Sequence, residues 1–370
     1  MTATKELKYW LALIRAPGIG PAQAAELIAH FGGPQVLFDA GAAAWRAAGI
    51  AAALQEGLRK PDWDGVDADL EWLGRDGRTL VTWDDAAYPE RLRQVAAPPI
   101  ALFCQGDPAL MAREQLAIVG ARSATRAGQD TAHAFAAEIT RCGLLVTSGL
   151  AQGIDGSAHR GALAAAGATL AVCATGLDRV YPAKHRELAH EIAARGLLVS
   201  EFPMRTPPLP DHFVRRNRII SGLSLGVLVV EAAQQSGSLT TARLALEQGR
   251  EVFAIPGSIH SPLSRGVHQL IRQGAKLTET VHDILEELAP HLAELVIPPA
   301  APEEAASARL EPLHQRVLDA LGFEATAFDV LIERLSLSVE ELSAALLSLE
   351  LQGLVTPAAG GAYARRVRQG

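Results

Sequence analysis

Between residues 116 and 255 the chain alternates short apolar runs with segments of helical length. The runs are four or five residues long and show no alternation at a period of two, as is typical of strands buried on both faces of a parallel sheet. The segments between them, such as 129–142 and 240–248, have the length and periodicity of helices. The pattern predicts an α/β fold with a Rossmann-like, doubly wound and mostly parallel sheet. The six clearest runs are 116–119, 144–147, 169–173, 197–200, 227–230 and 252–255.

Short helices are predicted on the N-terminal side of this pattern. Residues 7–58 contain a tight turn at 17–21 between two helical segments, and Gly32-Gly33 closes the second of them. This arrangement predicts a helical unit like a SAM or helix-hairpin-helix domain. A Gly-hydrophobic-Gly turn can bind a DNA phosphate, but we favour a plain helical hairpin because its neighbours are not basic. Residues 60–75 are acidic and are interpreted as a solvated linker and the start of a helix.

The C-terminal region has the pattern of a winged-helix domain. The Pro- and Ala-rich residues 290–307 are typical of a flexible linker. Three predicted helices follow, and a short hairpin surrounds Gly360-Gly361. The helix expected to enter a DNA groove carries three glutamates and no Lys or Arg, so a protein partner is the better expectation here. The predicted boundaries are 1–60, 61–290, 291–308 for the linker and 309–370.

The distribution of charge changes what the net charge implies. The net charge of −7 argues against a nucleic-acid partner. Residues 116–280, however, carry 17 basic and 12 acidic side chains, whereas both flanking regions are acidic. Only Lys184 and Lys276 among these basic residues are lysines. Arginine suits bidentate phosphate contacts and stacking on bases, so the central domain is the candidate for binding an anion.

The cysteine and apolar content excludes other classes of protein. Cys104, Cys142 and Cys173 are far apart, and no CxxC or Cys/His ligand spacing occurs. We therefore expect no disulfide framework, no bound metal and no cofactor. The longest uncharged stretch, 161–177, is interrupted by Gly and is shorter than the roughly 20 residues of a membrane span. Without a signal-peptide pattern the chain is predicted to be cytoplasmic and not membrane-bound.

Candidate chemistry is concentrated at the ends of the predicted strands, where doubly wound sheets bind their ligands. Arg122 follows the first run and should project over the sheet edge, with Ser123 able to cap the next helix. If 213–221 is helical, Arg215 and Arg218 share one face. The turn at 236–241 offers N–H and hydroxyl donors at a helix N-terminus. Together with the loops at 147–155 and 174–178, these segments predict a cradle for consecutive phosphates.

Enzyme motifs are tested in the same segments. No Lys follows a Gly, so a Walker A motif is absent, and there is no GxGxxG fingerprint. Residues 222–226 match GxSxG but lead from a helix into a strand, the reverse of a nucleophile elbow. Asp155 and Glu231 are the plausible catalytic carboxylates, and we expect both to order neighbouring turns instead. No catalytic residue is predicted, and His159, His185 and His212 are expected to make ordinary hydrogen bonds.

The motifs at the strand ends continue into neighbouring stretches of the domain. They comprise Tyr88-Pro89 through Pro98-Pro99 to Gly106-Asp107, 118–122, 148–155 with Ala158-His159, 176–182, Ser200-Glu201, 216–220, Val230-Glu231 with 236–242, and 254–257. At these residues the chain closely resembles the DprA/Smf family of DNA-processing proteins. The resemblance spans about residues 80–290, and the flanking parts match the family's three-part layout more loosely.

The resemblance implies a homodimer that binds incoming single-stranded DNA during natural transformation and loads the RecA recombinase onto it. It implies that Arg122 and residues 216–218 line the DNA pocket, and Lys184 and Arg205 are both candidates for a second basic contact. A distant similarity to nucleotide-binding phosphoribohydrolases leaves a nucleotide-hydrolysing enzyme as the alternative. The predicted DNA-contacting residues are Gly120, Arg122, Ser123, Gly149, Gly153, Lys184, Arg205, Arg215, Arg216, Asn217, Arg218, Ser236, Gly237, Ser238 and Thr240.

Overall fold

Helices form the N-terminal part of the protein. The computed structural model describes residues 2–292, 311–321, 325–358 and 360–366. The turn predicted at 17–21 is confirmed, and the second helix ends at Gly32, whose φ of 79° is left-handed. Leu11, Leu37 and Trp45 belong to the buried core of this part. Its helices are α1 (Thr2–Arg15), α2 (Pro21–Phe31), α3 (Pro34–Ala47), α4 (Ala52–Arg59) and α5 (Trp63–Leu73).

Helix α5 corrects the interpretation of residues 60–75. A helix does start there, but it is packed and not a solvated linker, since Val66, Asp69 and Trp72 are buried. The Nε of Arg15 in α1 donates to Oδ2 of Asp69 at 2.6 Å, and its Nη2 donates to Oδ1 at 2.8 Å. A buried carboxylate is tolerated when it is paired and hydrogen-bonded in this way. The boundary at residues 60 and 61 stays a prediction.

The predicted apolar runs form the central sheet. Within the described residues nine strands join in the order β1-β2-β6-β5-β4-β3-β7-β8-β9. The pairs β1–β2 and β2–β6 are antiparallel, and every other pair is parallel, so the predicted mostly parallel sheet is confirmed. The strands are β1 (Arg78–Thr82), β2 (Ala101–Gly106), β3 (Gln115–Val119), β4 (Leu145–Ser148), β5 (Thr169–Val172), β6 (Leu197–Ser200), β7 (Gly226–Val229), β8 (Glu251–Ala254) and β9 (Lys276–Leu277).

Helices cover both faces of this sheet. Ile219 packs in one core cluster with Val229, and Ile139 packs in another with Ile118. The chain runs from β3 outward through β4 and β5 on one side, and from β7 outward through β8 on the other. The strand order therefore reverses between β3 and β7. The helices are α6 (Glu90–Arg93), α7 (Arg126–Arg141), α8 (Ile154–Ala164), α9 (Arg186–Arg195), α10 (Pro210–Leu223), α11 (Gly237–Glu247), α12 (Arg265–Arg272) and α13 (Val281–Leu288).

The C-terminal elements have the predicted winged-helix order. Helices α14 (Pro312–Leu321), α15 (Phe328–Leu335) and α16 (Val339–Leu351) precede a three-stranded sheet in the order β10-β12-β11. Its strands are β10 (Thr326–Ala327), β11 (Val355–Ala358) and β12 (Ala362–Arg365). The predicted linker, 291–308, lies outside the described residues apart from His291 and Leu292. Among the helices described, none is long and apolar enough to cross a membrane.

A buried histidine on α8, His159, makes the stability of the fold depend on pH. The hydroxyl of Thr169 donates to the carbonyl of Val146 at 2.7 Å, so it must accept at 2.8 Å from Nδ1 of His159. The tautomer is therefore the one with hydrogen on Nδ1, and Nε2 has no hydrogen-bond partner in the described structure. Burial lowers the pKa of His159 to about 3, and the charges of His185, Arg160 and Arg216 add to this effect.

Acidification should therefore destabilise the protein through His159. Below the unfolded-state pKa of about 6.5 the unfolded chain binds a proton that the folded chain refuses, so stability falls as pH falls toward about 3. At about pH 5.5 the expected loss is about 1.4 kcal/mol. Urea unfolding of the wild type and His159→Gln at about pH 5.5 and at about pH 8, above the unfolded-state pKa, measures this loss. Other titrating groups cancel in the comparison of the two proteins. Equal pH dependence of the two proteins would rule out this role.

Candidate nucleic-acid interface

A cavity of about 640 Å³ lies at the carboxyl ends of β3 and β7, where the strand order reverses. We call it the Arg122 cavity. Ligands of doubly wound sheets bind at such positions. The cavity brings together residues from three of the predicted strand-end segments, two residues from the loop at 147–155, and Tyr181, which follows the loop at 174–178. Its polar lining includes Arg122, Ser123, Asp155, Arg216, Asn217, Gln235, Ser236, Ser238, Thr240 and Thr241.

Arg122 is the exposed cation of this cavity. Its guanidinium carbon lies 5.0 Å from the ring centroid of Phe213, at the start of α10. The Phe213 ring lies 5.5 Å from the ring of Tyr181, and 46% of Tyr181 is exposed. A cation beside two aromatic rings offers a phosphate contact and stacking surfaces for bases in one place.

The turn that carries Arg122 is fixed by its neighbours. A Cβ on Gly120 would lie 2.5 Å from Cγ1 of Ile154 and 2.9 Å from the carbonyl oxygen of Glu231, so only glycine fits. The N–H of Ala121 donates to that same carbonyl at 2.7 Å, and its own carbonyl accepts from the Ile154 N–H at 3.3 Å. Arg122 is therefore positioned by the end of β7 and the start of α8.

Arg216 is the second cation, and it is buried behind the first. Its Nη1 donates to the carbonyl of Val172 at 2.7 Å, whereas its Nε has no partner in the described structure. Burial lowers the pKa of Arg216, and the nearby Asp155 carboxylate opposes that change. Burial also raises the pKa of Asp155, which accepts from the N–H groups of Gly149 and Ala151 at 3.1 and 3.3 Å. Asp155 thus both orders its loop and balances Arg216.

The N-terminus of α11 completes the cavity with hydrogen-bond donors. Ser236 is the N-cap residue, and its hydroxyl lies 2.7 Å from that of Ser238. The side chain of Asn217 donates to the Gly237 carbonyl at 3.4 Å, which links α10 to α11. The positive end of a helix dipole and unpaired backbone N–H groups favour an anion at this point.

Comparison with known proteins places these residues in a known family. The model for DNA recombination-mediator protein A matches residues 79–289, and the DprA winged-helix domain matches residues 299–361. Protein Smf of Escherichia coli is 44% identical over 304 residues, which cover 80% of each chain. The chain belongs to the DprA/Smf family.

Further relatives and solved structures agree with this assignment. DNA processing protein DprA of Bacillus subtilis is 46% identical over 213 residues, 57% of this chain and 72% of that one. The structure of Streptococcus pneumoniae DprA matches with a TM-score of 0.66 at 32% identity, over 78% of this chain and 98% of that one. A Helicobacter pylori DprA structure, described for its single-stranded DNA binding mode, matches with a TM-score of 0.53 at 28% identity and covers 58% and 97%.

Two of the predicted glycines, Gly149 and Gly153, lie behind the residues that line the Arg122 cavity. Gly149 packs so closely on Arg216 that a Cβ would lie 1.8 Å from its Nη1. Gly153 has a φ of +75°, and a Cβ there would lie 2.2 Å from the carbonyl oxygen of Ala121. Neither glycine lines the cavity. Their contribution is to let the second loop approach Arg216 and the Arg122 turn.

Arg215 and Arg218 share a helix face as predicted, but that face does not line the cavity. Nε and Nη2 of Arg215 donate to Oε2 of Glu201 at 3.0 and 2.8 Å. Nη2 of Arg218 donates to the same oxygen at 2.5 Å. The buried carboxylate at the end of β6 therefore attracts both arginines, and Arg216 between them points into the Arg122 cavity.

Two other predicted positions lie outside the Arg122 cavity, and the predicted cap of α7 is wrong. The cap of α7 is Thr125, whose hydroxyl accepts from the Gly128 N–H at 2.9 Å, so Ser123 lines the cavity without capping the helix. Lys184 is exposed on the short 3₁₀ helix Ala183–His185, outside the cavity lining. Arg205 lines a different cavity.

Glu231, the carboxylate on which the enzyme alternative depends, holds the loop before α7 through hydrogen bonds to Thr125. Its two oxygens accept from the hydroxyl and the N–H of Thr125 at 2.6 and 2.9 Å, and it does not line the Arg122 cavity. The prediction that Glu231 and Asp155 order neighbouring turns is confirmed. In the described part of the chain no cluster of His, Cys, Asp or Glu could hold a metal ion.

The aromatic wall was missed at the level of sequence. Phe213 lies in the segment 213–221 and Tyr181 shortly after the loop at 174–178, but neither was among the predicted contacts. The available signal was the aromatic content of only 5%, which makes two aromatic residues beside these motifs unusual. Their proximity arises only when α10 crosses the ends of β3 and β5, so spacing along the chain could not reveal it.

Proposed function

We propose that the Arg122 cavity binds single-stranded DNA. The observation that carries this proposal is the guanidinium of Arg122 over the Phe213 ring, beside the exposed Tyr181 ring. Aromatic rings stack on bases that are unpaired, and stacking does not depend on the sequence because every base has a π-face. Arg122 and the donors at the start of α11 would hold phosphates on either side of such a base.

We further propose that the protein acts on this DNA as a mediator in the cytoplasm. In this role a homodimer protects incoming DNA during natural transformation and loads RecA onto it. The support is family membership and the Helicobacter pylori relative, whose structure is described for its single-stranded DNA binding mode. The acidic helix α16 supports a protein partner at the winged-helix part. The proposal includes no chemical step, because Asp155 already accepts hydrogen bonds from its own loop and Glu231 accepts them from Thr125 in the loop before α7.

Arg122→Ala should weaken single-stranded DNA binding by about tenfold or more for all sequences, since a charge-assisted contact to the backbone is lost. The slope of log affinity against log salt should also fall by about 0.7, the value for one phosphate on a single strand. Fluorescence anisotropy with oligonucleotides of several sequences across a salt titration measures both. Arg126→Ala is the matched control, because Arg126 is exposed and pairs with Asp130 outside this cavity.

A second readout separates DNA binding from recombinase loading. The wild type should accelerate RecA filament formation on a single strand, and Arg122→Ala should not. If Arg122→Ala binds DNA as tightly as the wild type at every salt concentration, the assignment of the cavity is wrong. If DNA binding responds as expected but the wild type leaves filament formation unchanged, only the RecA part of the proposal is lost.

A further inference from the structure

A second cavity, of about 470 Å³, lies between α5, β1 and α9 and is lined by five arginines. We call it the arginine-lined cavity. Its floor is apolar and includes Leu150, Leu198 and Met204. The acidic members of its lining are Glu71 and Asp178, so positive charges exceed negative ones by three. Its arginines are Arg75, Arg78, Arg179, Arg186 and Arg205.

These arginines are only weakly neutralised. Arg75 lies 3.6 Å from Glu71, and Arg179 lies 3.4 Å from its chain neighbour Asp178. Arg186 and Arg205 are exposed, and neither guanidinium has a hydrogen bond or ion pair in the part of the chain that the structure describes. Like charges gathered without counter-charges repel, and an anion would relieve that repulsion.

Arg78 lies against Trp72 and close to Arg75. Its guanidinium carbon lies 4.7 Å from the centroid of the Trp72 ring, and it donates to the Trp72 carbonyl at 3.4 Å. Burial lowers the pKa of Arg78, and the positive charge of Arg75 lowers it further. An arginine stacked on an indole and held beside other cations is suited to phosphate recognition.

Three hydrogen bonds anchor the segment that carries Arg205. The N–H of Met204 donates to Oδ1 of the buried Asp69 at 2.9 Å, and the carbonyl of Met204 accepts from Nη2 of Arg15 at 3.2 Å. The N–H of Arg205 donates to Asp178 at 2.9 Å. Helix α5 therefore builds one wall of this cavity, and Asp69 and Arg15 of the N-terminal helices hold the backbone that carries Arg205.

The arginine-lined cavity adjoins the Arg122 cavity along a narrow ridge. Val180 lines the first and Tyr181 the second, and the same division falls between Leu150 and Ala151. On the opposite side of the ridge, Arg205 lines the arginine-lined cavity and Pro208 lines the Arg122 cavity. The N–H of Arg205 contacts Asp178, which is three residues before Tyr181, and three residues span at most about 11 Å. A single strand that passes Tyr181 therefore needs only a few nucleotides to reach Arg205.

We propose that the arginine-lined cavity binds the phosphates of the same single strand as it leaves the Arg122 cavity over the ridge at Val180-Tyr181. This inference rests on the proposed function and extends it, because it gives the DNA a path onto the wall formed by the N-terminal helices. The strand makes stacking contacts at Phe213 and Tyr181 and charge contacts at Arg186 and Arg205.

Oligonucleotide length tests this path in the full chain. Arg186→Gln/Arg205→Gln removes two exposed and unpaired guanidinium groups, and Arg46→Gln/Arg141→Gln, also exposed, is a charge-matched control away from both cavities. An oligothymidylate of about 5 nucleotides can occupy one cavity, and one of about 20 nucleotides can reach both. We expect the first double variant to bind the short strand like the wild type. For the long strand it should lose about tenfold in affinity and about 1.4 in salt slope, whereas the control loses neither.

The outcomes separate this inference from the proposed function. Wild-type affinity of the double variant for the long strand, alongside weakened binding by Arg122→Ala at both lengths, would overturn the path and leave the Arg122 site standing. An equal loss at both lengths would also overturn it, since a general field and not an extension would be responsible. A double variant that loses binding of thymidine monophosphate but keeps the long strand would make the cavity a nucleotide site instead. No effect of Arg122→Ala at either length would remove the proposed function itself.

Discussion

Glu201→Gln should lower the free energy of unfolding by about 3 to 5 kcal/mol, because it leaves buried positive charge without its partner. Oε2 of Glu201 accepts three hydrogen bonds, two from Arg215 and one from Arg218. Arg218 is only 8% exposed, and its Nη1 has no hydrogen-bond partner in the described structure. A glutamine keeps the shape of the side chain and removes the charge, so the expected loss is electrostatic.

Urea unfolding monitored by tryptophan fluorescence measures this effect. Glu247→Gln is the matched control, since Glu247 and Arg243 are exposed and 3.6 Å apart on α11. Removal of such a surface pair should change the free energy of unfolding by about 0.5 kcal/mol or less. Equal unfolding midpoints for Glu201→Gln and the wild type would show that Arg218 is solvated or paired in another way.

The cluster of Glu201, Arg215 and Arg218 shows what spacing along the sequence can and cannot predict. Helical periodicity correctly placed Arg215 and Arg218 on one face of α10. Their partner, Glu201, is 14 and 17 residues earlier at the end of β6, and local spacing holds no information about which strand end lies beneath a helix. The sequence therefore grouped the arginines of this helix at one phosphate site, whereas Glu201 attracts two of them and only Arg216 lines the Arg122 cavity.

The sheet was the most predictable part of the fold, for a physical reason. Strands covered on both faces must be apolar throughout, so apolar runs predict them well. The run 197–200 coincides with β6, and the other runs differ from their strands by one or two residues. Helix α5 was less predictable, because its acidic residues suggested solvent. Asp69 is buried by a pair with Arg15, 54 residues away, which composition along the chain cannot show.

The candidate site was predictable only in part. The turn at Gly120 and the N-terminus of α11 follow from local chemistry, and the structure brings both into one cavity. The arginine-lined cavity was not anticipated, because its arginines come from β1, α9 and three separate loops. Arg205 illustrates the difference: the resemblance set it near Arg122, whereas the ridge at Val180-Tyr181 separates the two.

Gly149→Ala should disturb DNA binding without touching DNA. The new methyl group would lie 1.8 Å from Nη1 and 2.5 Å from Cζ of Arg216, so the guanidinium must move. Arg216 is buried and would lose its hydrogen bond to the Val172 carbonyl. We expect a loss of about 1 to 3 kcal/mol in the free energy of unfolding, as for other overpacked sites, and a roughly tenfold loss in single-stranded DNA affinity.

A double-mutant cycle tests this mechanism. In an Arg216→Ala background the methyl group has no guanidinium to displace, so Gly149→Ala should cause little further loss in either measurement. Gly20→Ala is the control for the substitution itself, since a Cβ there meets no atom within 4 Å and its φ of −79° suits alanine. Losses that simply add in the double variant would mean that Gly149 acts on its own loop and not through Arg216. Losses that do not add would show that a glycine hidden behind the wall positions the buried cation of the Arg122 cavity.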